Sequence, residues 1–154
     1  MTIYMAEFSR SHVEELAGRL TAPGISSYFP IELDPTGVSV TQGGYVEISY
    51  SKTFTLQGLQ MQVVRRCHEL ALPNLEAPHS SLTRNQQENL RRYSYDLIGD
   101  SFRPHITLGR LLPAGTVQLT DLEFEKLAFT CNEMVLYRAD SQGSGRELLK
   151  AIPQ

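Results

Sequence analysis

An α+β fold with two related lobes is what this sequence predicts, and three observations carry it. Helical periodicities open with capping signals, apolar and β-branched runs are separated by Gly and Pro turns, and the two kinds alternate along the chain. The 154 residues suit a single domain, 1–154, in which two small lobes share a sheet. No low-complexity tract, charge block or long linker divides it.

The elements follow in order. Residues Ile3 to Phe8 read as a strand. Ser11-x-x-Glu14 has the form of a capping box, and Val13, Leu16 and Leu20 then recur at helical spacing until Pro23-Gly24. Ser26 to Leu33, rich in aromatic and β-branched residues, reads as a strand broken at Asp34-Pro35-Thr36-Gly37. Val38–Thr41 and Tyr45–Tyr50, joined by Gln42-Gly43-Gly44, read as a hairpin. A second helix is expected over Leu56–Ala71 with a buried stripe of Leu56, Leu59, Val63, Cys67 and Leu70; Pro73 and a polar loop over 73–81 follow. Thr83-x-x-Gln86 is a second capping box, opening a helix towards Ile98 with Gly99 at its end. A strand at 103–111, a turn at Pro113-Ala114-Gly115, a strand near 116–120 and a long strand over Ala128–Tyr137 complete the pattern, with a short strand or helical turn in the tail.

Composition narrows the function classes. A hydrophobic fraction of 41% against 20% charged residues argues for a packed core and against disorder. The formal net charge is −3 and the pI about 5.8, so no global basic field attracts duplex DNA. A phosphate ligand must be caught by a few aimed groups. Cys67 and Cys131 stand far apart without a CxxC partner and read as buried thiols in a reducing cytoplasm. The N-terminal residues lack the pattern of a signal peptide, and no apolar run reaches the length of a membrane span.

The chemistry concentrates in Arg103-Pro104-His105-Ile106-Thr107-Leu108-Gly109-Arg110. On a strand, His105 and Thr107 share one face. An imidazole able to exchange a proton near neutral pH thus stands beside a hydroxyl able to donate to a phosphate oxygen. Arg103 and Arg110 can add charge-assisted contacts to the same anion. Alone, His-x-Thr is a short motif that chance produces often, and many strand histidines are structural.

The flanks say more. Glu88 to Arg110, ENLRRYSYDLIGDSFRPHITLGR, resembles the approach to the second His-x-Thr motif of the 2H phosphoesterases. That family includes RNA 2',3'-cyclic phosphodiesterases and the so-called 2'-5' RNA ligases. Asn89, Leu90, Arg92, Tyr93, Tyr95, Gly99, Phe102, Pro104, His105, Ile106, Thr107 and Leu108 carry the likeness, with Met134-Val135-Leu136-Tyr137, Gly145 and Leu148-Leu149 downstream. It covers the second half of the chain well and the first half in outline. The resemblance implies two pseudo-symmetric lobes of antiparallel sheet with helices outside and a central cleft, the second-motif lobe lying at about 83–140. It also implies catalysis by two histidines without a metal or other cofactor. Its substrate would be a nucleotide or RNA 3' end bearing a cyclic phosphate, or a 2'-5' linkage.

A second intact His-x-Thr is not found in the first half, and three stand-ins are open. Thr2 aligns with the first motif's threonine, which would set the matching histidine before Met1; Thr2 and Tyr4 are then candidate substrate contacts. Glu47-x-Ser49 shares one strand face, either as a carboxylate replacing an imidazole or as a solvent-facing pair. His79-Ser80-Ser81 has the spacing but sits in a Pro-flanked loop before a helix cap. His12 and His68 read as surface residues, and Tyr93 and Tyr95 as either core or base-stacking aromatics. A family member that binds a nucleotide or a protein without turnover is the alternative function.

Overall fold

The computed structural model describes residues 1–41, 43–74, 81–111, 123–140 and 145–152. Among these the chain is α+β: three α-helices and seven strands in antiparallel pairings. The predicted turn at 113–115, the strand near 116–120, His79-Ser80 and the start of the tail lie outside the described residues. No helix among the described residues is long and apolar enough to cross a membrane.

The N-terminal segment differs from the expected strand. It is held by side-chain bonds and one backbone bond, Leu72 N–H to the Glu7 carbonyl, instead of a ladder. Gln60 Nε2 donates to the Ile3 carbonyl at 3.2 Å, and the Tyr4 hydroxyl donates to the Tyr93 carbonyl at 2.6 Å. Only Phe8 forms a bridge, to Ala71. Helix α1 (Val13–Thr21) buries Leu16, Ala17 and Leu20. The box expected at Ser11 does not form, because Ser11 lies inside a 3-10 turn over Arg10–His12 that Ser9 caps. A second 3-10 turn, Ser26–Tyr28, replaces the first half of the strand expected over 26–33, leaving β1 as Ile31–Leu33.

Strands β2 (Pro35–Val40) and β3 (Tyr45–Tyr50) make the expected hairpin, β2 beginning earlier than the turn residues suggested. Helix α2 (Phe54–Cys67) starts two residues ahead of the predicted position because the Thr53 hydroxyl accepts from Leu56 N–H. Its stripe of Leu56, Leu59, Val63 and Cys67 is buried, each leucine contributing about 1.5–3 kcal/mol relative to exposure. Leu70 follows in a 3-10 turn and packs at the core's margin. A Cβ built on Gly58 would meet Tyr28 Cε1 at 2.9 Å, so glycine lets the Ser26–Tyr28 turn lie against α2.

Helix α3 (Arg84–Tyr93) opens with the predicted capping box between Thr83 and Gln86. It ends before Ile98, because Ser94 takes the left-handed conformation (φ 57°) and its hydroxyl donates to the Leu72 carbonyl. Two buried amides then fix the path of the chain. Asn89 Nδ2 donates to the carbonyls of Asp96 and Ile98, while Gln60 donates to Leu97 O and accepts from Gly99 N–H. Lys52 Nζ closes the turn on the carbonyls of Gly99 and Asp100.

That anchored turn delivers the chain into β4 (His105–Arg110), which pairs antiparallel with β3 and completes the sheet β2-β3-β4. The long final strand proves to be two strands. β5 (Phe129–Cys131) pairs with β1, and β6 (Met134–Ala139) pairs with β7 (Gly145–Ile152). β4 and β5, both within 83–140, therefore bond to strands of the first half. Cys67 is buried as expected; Cys131 is only partly so.

Candidate functional site

The β3–β4 register decides which side chains meet. Ser49 stands opposite His105 and Glu47 opposite Thr107, and directly opposed residues share a face. On the other face Ile48 faces Ile106, both in the core with Tyr50. The ladder shifts between Val46 and Glu47, so Gly109 opposes Val46. One surface of the sheet thus carries Glu47, Ser49, His105 and Thr107 together.

The His105 ring is oriented by its own strand entry. Nδ1 lies 2.7 Å from the Arg103 carbonyl, which can only accept, so Nδ1 carries the proton in that bond. Nε2 is left for proton exchange, and it stands 3.8 Å from Glu47 Oε1. The imidazole is 16% exposed, reachable without being freely solvated. The Thr107 side chain is exposed beside it.

Glu47 is the unexpected member. The solvent-facing reading of this residue does not hold, because its side chain is only 7% exposed. Arg103 Nη1 lies 3.1 Å from Oε2, close enough for an ion pair, yet Oε2 has no well-aligned hydrogen bond. The separation from His105 also bears on its role. In an in-line displacement the attacking and leaving oxygens lie on opposite sides of phosphorus, roughly in line, each within about 2.6–3.2 Å of its proton-transfer group. Two groups 3.8 Å apart cannot hold a phosphorus and both oxygens between them. Glu47 and His105 therefore lie on the same side of any phosphorus that this face could hold.

The other predicted residues are placed as follows. Arg103 belongs to the cluster, 49% exposed at its side chain. Arg110 does not: it pairs with Tyr45 at the far end of the strand, donates to the Gly43 carbonyl and stacks over the Tyr45 ring. It lies five positions along the strand from His105, about 16 Å. Thr2 is exposed and makes no hydrogen bond among the described residues. Tyr4 spends its hydroxyl on Tyr93 and packs edge-on against Phe8 and Tyr95, with burial raising its phenol above the ordinary range. Tyr95 is buried, its phenol pushed up to about 12 by burial, so its ring is not open to a base. Tyr93 packs against His68 and Arg92.

His68 is bonded through Nδ1 to the Val64 carbonyl, and His12 lies at the start of α1. Both are partly buried, where surface positions were expected. No group of three or more His, Cys, Asp and Glu stands together to hold a metal among the described residues. Sequence reasoning identified Glu47-x-Ser49 as a two-apart pair that could stand in for the missing motif, but not that it lies directly opposite His105 and Thr107. The signal was present in the alternation of Glu47 and Ser49 with the apolar Val46, Ile48 and Tyr50.

None of the known protein families, curated proteins or solved structures matches this chain.

Proposed function

We propose that this protein is a phosphodiesterase that opens the 2',3'-cyclic phosphate, or a 2'-5' phosphodiester, of a nucleotide or an RNA 3' end. The observation that carries the reading is the His105 ring: Nδ1 is fixed on the Arg103 carbonyl and Nε2 faces the surface shared with Thr107. His105 exchanges the proton, the Thr107 hydroxyl donates to a phosphate oxygen, and the half-exposed Arg103 guanidinium balances the anion. Hydrolysis joins a water oxygen to phosphorus and breaks the bond to one ribose oxygen. That oxygen takes a proton, and the product is a phosphomonoester. In this reading the His105 face lines a central cleft between two pseudo-symmetric lobes, no metal or cofactor is needed, and the protein works in the cytoplasm. The resemblance of residues 88–110 to the 2H phosphoesterases supports the cleft, the lobes and the metal-free chemistry, and the two free cysteines support the cytoplasm.

A specific observation favours a second reading. Among the described residues, one imidazole and not two stands on this face. Two-histidine chemistry with one histidine missing loses about 10²–10⁴-fold, the usual worth of a general acid–base step. The protein then binds a nucleotide, or a protein partner, without turning it over.

Hydrolysis of 2',3'-cyclic nucleotides, with His105→Ala as control, separates the two. Turnover that His105→Ala abolishes supports the enzyme. Binding of the cyclic nucleotide without turnover supports the second reading, and full activity in His105→Ala rejects the role given to this histidine.

A further inference from the structure

We propose that Glu47 sets the charge class of the ligand, so that the site admits a singly charged phosphodiester and rejects a doubly charged phosphomonoester. This rests on the reading of the His105 face as a phosphate site and assigns its specificity residue.

The geometry supplies the argument. A phosphate held by His105 Nε2 and the Thr107 hydroxyl lies directly over the Glu47 position, because Glu47 opposes Thr107 and its Oε1 is 3.8 Å from Nε2. The carboxylate cannot turn away into water, since its side chain is 7% exposed. Its Oε2 lacks an aligned hydrogen bond, so its field is not spread over fixed donors. Inside a protein such a charge is screened less than in water. The charged and titratable groups facing it are Arg103, from the segment ahead of β4, and His105, on β4. Across the sheet it pairs with Ser39 of β2 and Thr107 of β4, both uncharged.

The charge count follows. Arg103 and Glu47 cancel, and His105 adds one positive charge when protonated. A phosphodiester brings one negative charge and matches that balance. A phosphomonoester carries about −1.5 to −2 at pH 7, its second proton leaving near pH 6. The added charge meets the carboxylate. For the proposed hydrolysis this separates substrate from product: the diester enters, and the monoester is expelled as it loses its last proton.

A matched pair of probes tests this: a 2'-deoxynucleoside 3'-phosphate and its methyl diester, which differ by one methyl group and one charge. Lacking a 2'-hydroxyl, neither can cyclise. By titration calorimetry at pH 7.5 the diester should bind at least tenfold tighter than the monoester. In Glu47→Gln that preference should shrink at least tenfold. With the unaltered protein at pH 5, where the monoester is mostly singly charged, the preference should also shrink. Both probes meet the same protein at each pH, so the ratio reports the ligand's charge, and a ratio that pH does not move overturns the proposal even if Glu47→Gln fails to fold. A ratio near one at pH 7.5, or one unmoved by the substitution or by pH while the diester still binds, overturns the Glu47 assignment alone. If neither probe binds the unaltered protein, the phosphate-site reading falls with it.

Discussion

Among the described residues, the three buried polar side chains divide into two kinds. Gln60 and Asn89 lie under the turn that leads into β4, and their amides are bonded to backbone groups of Ile3, Asp96, Leu97, Ile98 and Gly99. Glu47, on β3, is buried to a similar degree, but it meets the Arg103 guanidinium and the His105 imidazole, and its Oε2 has no aligned hydrogen bond. A satisfied buried amide specifies a chain path. A buried carboxylate without such bonds specifies no chain path in that way. The first region is scaffold and the second is the candidate site, and residues 99–105 join them.

That contrast is open to direct attack, beginning with the largest effect. His105→Ala should lower cyclic-nucleotide hydrolysis by about 10²–10⁴-fold while leaving the melting temperature nearly unchanged. A large thermal shift would show that His105 belongs to the scaffold. Gln60→Ala should do the reverse, costing about 1–3 kcal/mol because the carbonyls of Ile3 and Leu97 and the Gly99 amide lose their partner in the interior. Urea unfolding measures it, and a loss below about 0.5 kcal/mol would deny Gln60 its anchoring role. Thr83→Ala removes the cap of α3 and should cost about 1 kcal/mol, again by urea unfolding. The smallest stability effect belongs to Glu47→Gln. Arg103 is 49% exposed and turns to water when released, so the change should stay within about 1 kcal/mol. A loss as large as that of Gln60→Ala would make Glu47 a structural residue.

Alkaline pH sharpens the scaffold side of the comparison. Burial pushes the Cys67 thiol up to about 11 from an ordinary 9.0, and the Tyr95 phenol up to about 12 from 10.0. Both groups are neutral when protonated, and the folded state holds that proton more tightly. The unfolded chain therefore binds fewer protons above pH 9, and stability falls as pH rises through this window. Urea midpoints taken from pH 8 upward should decline beyond pH 9, and Tyr95→Phe should flatten the upper part of that decline. Midpoints constant to pH 11 would contradict the burial of both groups.

Much of this was legible in the sequence. The Thr83 capping box and the α2 stripe rest on local spacing, so they survive in the structure. His105 and Thr107 share a face because a strand has a period of two, which no tertiary contact alters. The errors share a different cause. The expected strand at Ile3–Phe8 and the extension of α3 to Ile98 were overridden by groups distant in sequence: the Gln60 amide and the backbone carbonyls of Tyr93 and Leu72. Arg110 fell away from the site because proximity along a strand is measured at about 3.3 Å per residue.

Local sequence thus determined the start of α3, the hairpin, and the pairing of an imidazole with a hydroxyl on one strand face. Only tertiary structure decided what stands beside them. Strand register is set between chains of residues far apart in sequence, and a slip of one residue would turn Glu47 to the core and bring Ile48 to His105. Because the register places Ser49 and Glu47 opposite His105 and Thr107, a carboxylate that reads as solvent-facing in the sequence lies buried against the site's histidine.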